Sequence, residues 1–153
     1  MDLRHVNALL DDEGFAGTRM PHGQPSEVLA RVREFKYATS LDLKSGYHQF
    51  PVAKEDQHKT TFQYGGKYRQ WARWPFGLRP CVPQFQKVME IVMDGLDCLV
   101  IYVDDLLIFT NGSFEDHIAQ VQEVLRRLNE HNLRLNVDKC FHACAAARPL
   151  PFW

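Results

Sequence analysis

The stretch VIYVDDLLIF, residues 100–109, sets two carboxylates, Asp104 and Asp105, side by side in an otherwise apolar run. A purely structural strand excludes both, because an unpaired buried carboxylate is strongly destabilising. From Cys98 to Thr110 the run exceeds the usual strand of about five or six residues, and its charges lie at the midpoint. The economical reading is two short strands with the Asp pair at a tight turn, which brings the carboxylates to an exposed hairpin tip. Hard oxygen donors there suit Mg²⁺, which commonly takes one or two carboxylates plus substrate phosphates. Adjacent Asp residues also occur as plain turn formers or as the acidic pocket of a phosphoacceptor receiver, but a receiver needs a βα repeat that this sequence lacks. A third acid weighs against the bland turn: Asp42, in SLDLKSGYH, sits between Leu41 and Leu43 in another apolar strand.

Working outward, Val28, Leu29, Val32 and Phe35 predict a short helix capped by Ser26. YATSLDLKSGYHQFPV (37–52) predicts a strand up to Leu43, a turn at Lys44-Ser45-Gly46 and a second extended piece. TTFQYGGKYRQWARW (60–74) predicts a hairpin around Gly65-Gly66. Phe85, Val88, Met89 and Val92 predict a helix closing at Gly95. Ile118, Val121, Leu125 and Leu128 predict one face of a helix that Ser113 and Asp116 open as a capping box. LRLNVDKC (133–140) reads as one more strand, and FHACAAARPLPFW (141–153) fits no element. The order suggests an α+β sandwich, an antiparallel sheet with helices packed on one face and the other face free for a ligand.

At 153 residues the chain has one domain's worth of length. Its 45% hydrophobic and 24% charged residues exclude wholesale disorder. The net charge of -1 names no partner, but Lys59, Lys67, Arg69, Arg73, Arg79 and Lys87 lie in a segment without Asp or Glu from Gln57 to Met89, the makings of a basic face. Four irregularly spaced cysteines and a start without signal-peptide character point to reduced thiols in an intracellular protein, cytoplasmic or nuclear and not secreted. The Asn111-Gly112-Ser113 sequon then carries no weight. No apolar run approaches the ~20 residues of a membrane helix, so no membrane partner is expected. Cys140, His142 and Cys144 are too close together for a zinc module, and His48, His58 and His117 read as surface or satisfied histidines.

YVDD (102–105), SLDLKSGYHQ (40–49), PFGL (75–78) followed by FQ (85–86), and LRLN (133–136) followed by KC (139–140) stand in a specific order. That order resembles the reverse transcriptase of Gypsy-like long-terminal-repeat retrotransposons, and DLRHVNALL (2–10) resembles that family's opening DYRKLN block. The resemblance implies a polymerase palm with partial fingers over residues 1–140, and leaves 141–153 as a divergent tail. It implies RNA-directed DNA polymerase activity, in which two Mg²⁺ (or Mn²⁺) ions assist transfer of a nucleotide from dNTP to a primer 3′-hydroxyl. The implied partners are an RNA or DNA template with primer, dNTP, and the thumb and RNase H segments of a polyprotein.

By the same resemblance Asp42 and Asp104 hold the metals, Asp105 assists, and the main-chain carbonyl of Leu43 is a further ligand. Tyr47 lies under the sugar of the incoming nucleotide and rejects a 2′-hydroxyl; the competing reading is a core aromatic. The backbone N–H groups of Lys44 and Ser45 meet the triphosphate. Phe76 and Gly77 flank nucleotide and template, or Phe76 is a loop anchor. Arg4 matches a fingers cation, or is a solvated arginine. Lys139 matches a lysine near the leaving pyrophosphate, as proton donor or charge partner, or is a surface lysine. The six cations from Lys59 to Lys87 track a phosphate backbone, whereas most of the interleaved aromatics, Phe62, Tyr64, Tyr68, Trp71, Trp74, Phe76 and Phe85, are expected in the core.

The chain also departs from the family. RPCVPQFQ (79–86) replaces NAPATFQ, the YPLP block is missing after residue 10, and 141–153 replaces a strand and FLG turn that hold the primer end. These departures lead to the expectation of a decayed or truncated retroelement copy. Two classes of function follow: a polymerase palm fragment with its metal triad intact, or a catalytically inactive remnant that at most binds nucleic acid, since chemistry without substrate alignment loses its proximity advantage.

Overall fold

A computed structural model describes residues 3–10 and 35–145, the last four by backbone alone. The helix expected from Ser26 lies, except for Phe35, outside the described residues. Those described fall into two compact units, one of residues 3–10 and 45–87, the other of 35–44 and 88–145.

The second unit holds a four-stranded antiparallel sheet in the order β4-β5-β1-β6, made of β1 (Tyr37–Asp42), β4 (Leu99–Tyr102), β5 (Asp105–Thr110) and β6 (Phe141–Ala145). The run around VIYVDDLLIF is two strands, as its length demanded, with Asp105 opening β5 and Val103-Asp104 forming the turn. The last helix, α3 (Phe114–Glu130), packs across β5 and β1. The core gathers Ala38, Leu41, Leu43, Leu106, Ile108, Val124 and Leu128, all essentially buried. Covering these side chains supplies the main drive for this unit, about 25 cal/mol per Å² of apolar surface.

Ser113 and Asp116 form the expected capping box: the Ser113 hydroxyl accepts from the Asp116 N–H, and the Asp116 carboxylate accepts from the Ser113 N–H. The buried stripe of α3 is His117, Val121, Val124 and Leu128, so the face expected through Ile118 and Leu125 is rotated by about one residue. The reason is His117. It is fully buried, with Nε2 2.8 Å from the Thr39 hydroxyl and Nδ1 2.9 Å from the Thr110 hydroxyl, so a polar residue occupies a core position.

The first unit comprises α1 (Arg4–Ala8), two short 3₁₀ turns (Gly46–Gln49 and Gln57–Thr60), and the hairpin β2 (Phe62–Tyr64) with β3 (Lys67–Arg69). Helix α2 (Cys81–Val92) begins here and continues into the second unit. Gly65 and Gly66 both take positive φ (59° and 72°), the twist a two-residue hairpin loop needs. On α2, Cys81, Phe85, Met89 and Val92 are buried, and Gly95 follows at φ 76°.

Three elements differ from expectation. The segment after the Lys44-Ser45-Gly46 turn is a 3₁₀ turn, because Ser45 at φ 51° reverses the chain and His48 N–H then bonds back to the Ser45 carbonyl. Residues 133–140 form no strand: one bridge links Leu43 to Leu135, and Val137–Lys139 is a 3₁₀ turn. Phe141–Ala145, given no element from sequence, is β6, because β1 offers it an unpaired edge. Among the described residues no helix is long and apolar enough to cross a membrane.

Candidate functional site

The acids come from neighbouring strands. Asp42 ends β1, Asp105 opens β5, and the ladder register sets them directly opposite. Opposed residues of an antiparallel pair share a face, and like charges there destabilise it. Asp104 occupies the second position of the two-residue turn, after Val103 at φ 55°. Such a turn needs positive φ at its first position, and here a β-branched residue accepts it at a cost of about 1–2 kcal/mol.

Backbone bonds fasten this corner. The Leu43 N–H donates to the Asp104 carbonyl (3.0 Å), and the Asn136 N–H donates to the Asp42 carbonyl (2.8 Å). From the 3₁₀ turn, Lys139 brings Nζ to 3.7 Å from Asp42 Oδ2. Partial burial, then the charges of Asp104 and Asp42, push the Asp105 pKa up, while Lys139 pulls it down. The structure therefore brings Asp42, Leu43, Asp104, Asp105 and Lys139 to one end of the sheet. Among the described residues no three carboxylate, thiol or imidazole groups form a preformed metal cage. Opposed carboxylates beside a third nevertheless fit Mg²⁺ in donor chemistry, since that ion keeps several waters and completes its shell with phosphate oxygens.

Other expected residues lie in the first unit. Tyr47 is half-buried, its ring edge-on to Phe76 (5.5 Å) and to Phe85 (5.3 Å). Phe76 is 58% exposed and also meets His48 edge-on at 4.7 Å. Gly77 follows at φ 85° in the loop before α2. Ser45, N-terminal to the 3₁₀ turn, and Arg4 on α1 are exposed. Lys44, at the end of the second unit's β1 segment, differs from expectation: its N–H already donates to the Arg134 carbonyl at 2.9 Å and is not open to a phosphate.

The six cations are all exposed. Lys59 pairs with Asp56 at 2.6 Å, Arg73 donates to the Gln49 carbonyl at 2.7 Å, and Arg69 lies over the Tyr64 ring at 5.9 Å. Lys67 extends from the hairpin, Arg79 lies in the loop before α2, and Lys87 is on α2. The expectation that most interleaved aromatics are core holds for Phe85 and fails for Tyr64, Tyr68 and Phe76, exposed at 70%, 79% and 58%, while Phe62, Trp71 and Trp74 are half-buried. A two-stranded ribbon without a covering layer leaves both of its faces in water. Sequence reasoning also passed over Asn7, whose side chain bonds to the backbone of the Phe76-Gly77 loop. Its signal was its place as the final residue of the DLRHVN block.

The family model described as reverse transcriptase (RNA-dependent DNA polymerase) matches residues 1–152. The chain is 40% identical over 143 residues to the retrovirus-related Pol polyprotein from transposon gypsy of Drosophila melanogaster, covering 91% of this chain and 13% of that one. It is 35% identical over 143 residues to the corresponding polyprotein from transposon 297 of the same organism, covering 92% and 13%. The chain therefore spans about an eighth of the curated relatives it matches. The foamy viral protease-reverse transcriptase, solved in complex with an RNA/DNA hybrid, superposes with a TM-score of 0.77 at 24% identity, covering 92% of this chain and 18% of that one. That likeness shows the α+β polymerase palm fold expected from the motifs. With the family model matching from end to end and the gypsy polyprotein 40% identical, the chain belongs to the reverse transcriptase family, as a domain of the Gypsy-like retrotransposon type.

Proposed function

We propose that the chain is the palm-bearing part of an RNA-directed DNA polymerase that adds deoxynucleotides to a primer 3′-hydroxyl on an RNA or DNA template. The observation that carries this reading is the direct opposition of Asp42 and Asp105, with Asp104 bonded to Leu43 beside them. Asp42, Asp104 and the Leu43 carbonyl, with Asp105 assisting, are the groups that would hold two Mg²⁺ (or Mn²⁺) ions. Bound there, the ions supply acidity to the 3′-hydroxyl and charge neutralisation to the triphosphate.

In the transfer the primer 3′-oxygen bonds to the α-phosphorus as the α–β bridging bond breaks, and the primer proton leaves to solvent. The Lys139 ammonium gives charge, or a proton, to the departing pyrophosphate. The Tyr47 ring excludes a 2′-hydroxyl by contact, the Ser45 N–H meets the triphosphate, and Phe76 and Gly77 flank nucleotide and template. Arg4 and the six cations from Lys59 to Lys87 hold phosphates of substrate and template-primer. The thumb and RNase H segments of a polyprotein complete the primer grip. An intracellular setting, cytoplasmic or nuclear, goes with the free thiols of Cys81, Cys98 and Cys140.

Primer extension on an annealed RNA template, with Mg²⁺ present or chelated and Asp104→Asn beside the unsubstituted chain, tests this reading. Metal-dependent extension lost in the variant is expected. Template-primer binding without extension, even after a family thumb is appended, leaves the inactive remnant as the function.

A further inference from the structure

We propose that Asn7 is a positioning residue that sets the pose of Phe76 against Tyr47 and, through it, nucleotide binding; the inference rests on the polymerase reading above. The Asn7 amide nitrogen donates to the Gly77 carbonyl at 2.8 Å, and its amide oxygen accepts from the Arg79 N–H at 2.8 Å. An uncharged amide offers one donor and one acceptor side by side, so this side chain pairs with the loop as a neighbouring strand would. Its partners lie 70 and 72 residues away in sequence, so nothing local brings them together.

The loop needs such a hold. Gly77 takes φ 85°, a backbone conformation that a side chain would strain, and a Cβ built there meets nothing within 4 Å. The loop's own later bond, from the Cys81 N–H to the Leu78 carbonyl at 3.1 Å, leads into α2, while the bonds of Asn7 fall on Gly77 and Arg79. Asn7 is itself seated: its N–H donates to the carbonyl of Leu3 at 2.8 Å, and Leu3 is only 6% exposed. One residue before the clamped carbonyl, the Phe76 ring stands edge-on to Tyr47 and His48. Releasing the clamp frees that ring from the tyrosine that meets the sugar in the proposed reaction.

The test has two readouts. Hydrogen exchange on the chain itself is expected to quicken at the Arg79 amide by roughly tenfold in Asn7→Ala, the size given by losing modest net hydrogen bonds, while amides of β5 and α3 keep their rates and certify the fold. In primer extension, Asn7→Ala is expected to raise the dNTP KM by roughly tenfold with kcat held within about twofold, the mark of lost binding rather than lost chemistry. Asn7→Asp, which keeps the acceptor for Arg79 and loses the donor to Gly77, should fall between. An unchanged Arg79 amide would overturn the clamp, and a quickened amide with unaltered KM would overturn its role in nucleotide binding. Failure of the polymerase reading is separate: it shows as no extension by the unsubstituted protein, which removes the nucleotide half of the proposal and leaves the exchange result to decide the clamp.

Discussion

Asp42 and Asp105 face each other in register across the β1–β5 ladder, two acids where a sheet ordinarily opposes unlike or apolar side chains. Partial burial first, then the charges of Asp104 and Asp42, raise the Asp105 pKa. An acid whose native pKa exceeds its unfolded value makes the folded state hold the proton more tightly, so stability falls as pH rises from 3.8 through the raised value. Asp105→Asn should therefore raise Tm at pH 7 by roughly 1–4 °C, with the gain fading below pH ~4. Thermal melts at the two pH values check it; an equal gain at both would assign the effect to something other than charge. Mg²⁺ should narrow the gap between variant and parent by stabilising the parent.

Val103 at φ 55° stores strain that glycine would release. Val103→Gly should remove about 1–2 kcal/mol of left-handed cost and add roughly 0.5–1 kcal/mol of chain entropy. A small net stabilisation is expected in urea melts, and a loss would show that the valine side chain contributes packing that outweighs its backbone.

His117 predicts the opposite pH response to Asp105. Burial depresses its pKa below 6.5, so the unfolded chain binds its proton first, and stability falls as pH drops from about 6.5 through the lowered value. His117→Gln keeps a donor and an acceptor for Thr39 and Thr110 but cannot titrate. Melts between pH 7 and 5 should be flatter for the variant than for the parent, and parallel curves would place the acid sensitivity elsewhere.

Two adjacent arginines on α3 should behave differently. Arg127 donates to the carbonyls of Val92 (3.3 Å) and Asp94 (2.6 Å), joining α3 to the end of α2, and its side chain is 23% exposed. Arg127→Ala should cost about 1–3 kcal/mol, as charged hydrogen bonds do. Among the described residues Arg126 bonds only to Glu123 and Glu130 of its own helix, in water, so Arg126→Ala should leave the melt where it was. Denaturant melts of the two variants side by side settle the contrast.

What could be foreseen from the sequence was whatever broke a local rule. Two acids within VIYVDDLLIF, paired glycines at residues 65–66 and Ser113 three residues ahead of Asp116 each announce their element from neighbours alone. What could not be foreseen depends on partners far along the chain. Phe141–Ala145 has little strand character of its own and becomes β6 through β1. His117 shifts the buried face of α3 only because Thr39 and Thr110 satisfy both its ring nitrogens, and Lys44 loses its N–H to Arg134. Asn7 carries no periodic signal at all, since its partners are backbone atoms of a loop before α2.

β1 is hydrogen-bonded on both flanks, and its partners are made late: Tyr37 lies opposite Thr110 on one side and Ala145 on the other. Such pairings must close long loops before any contact rewards them, the condition under which folding is slow. During synthesis the strand bearing Asp42 waits without its sheet until β5 leaves the ribosome, and it keeps an open edge until β6 follows. The acidic corner is thus among the last features of this unit to be assembled, and a nascent chain that stops short of β5 carries Asp42 without the strand that faces it.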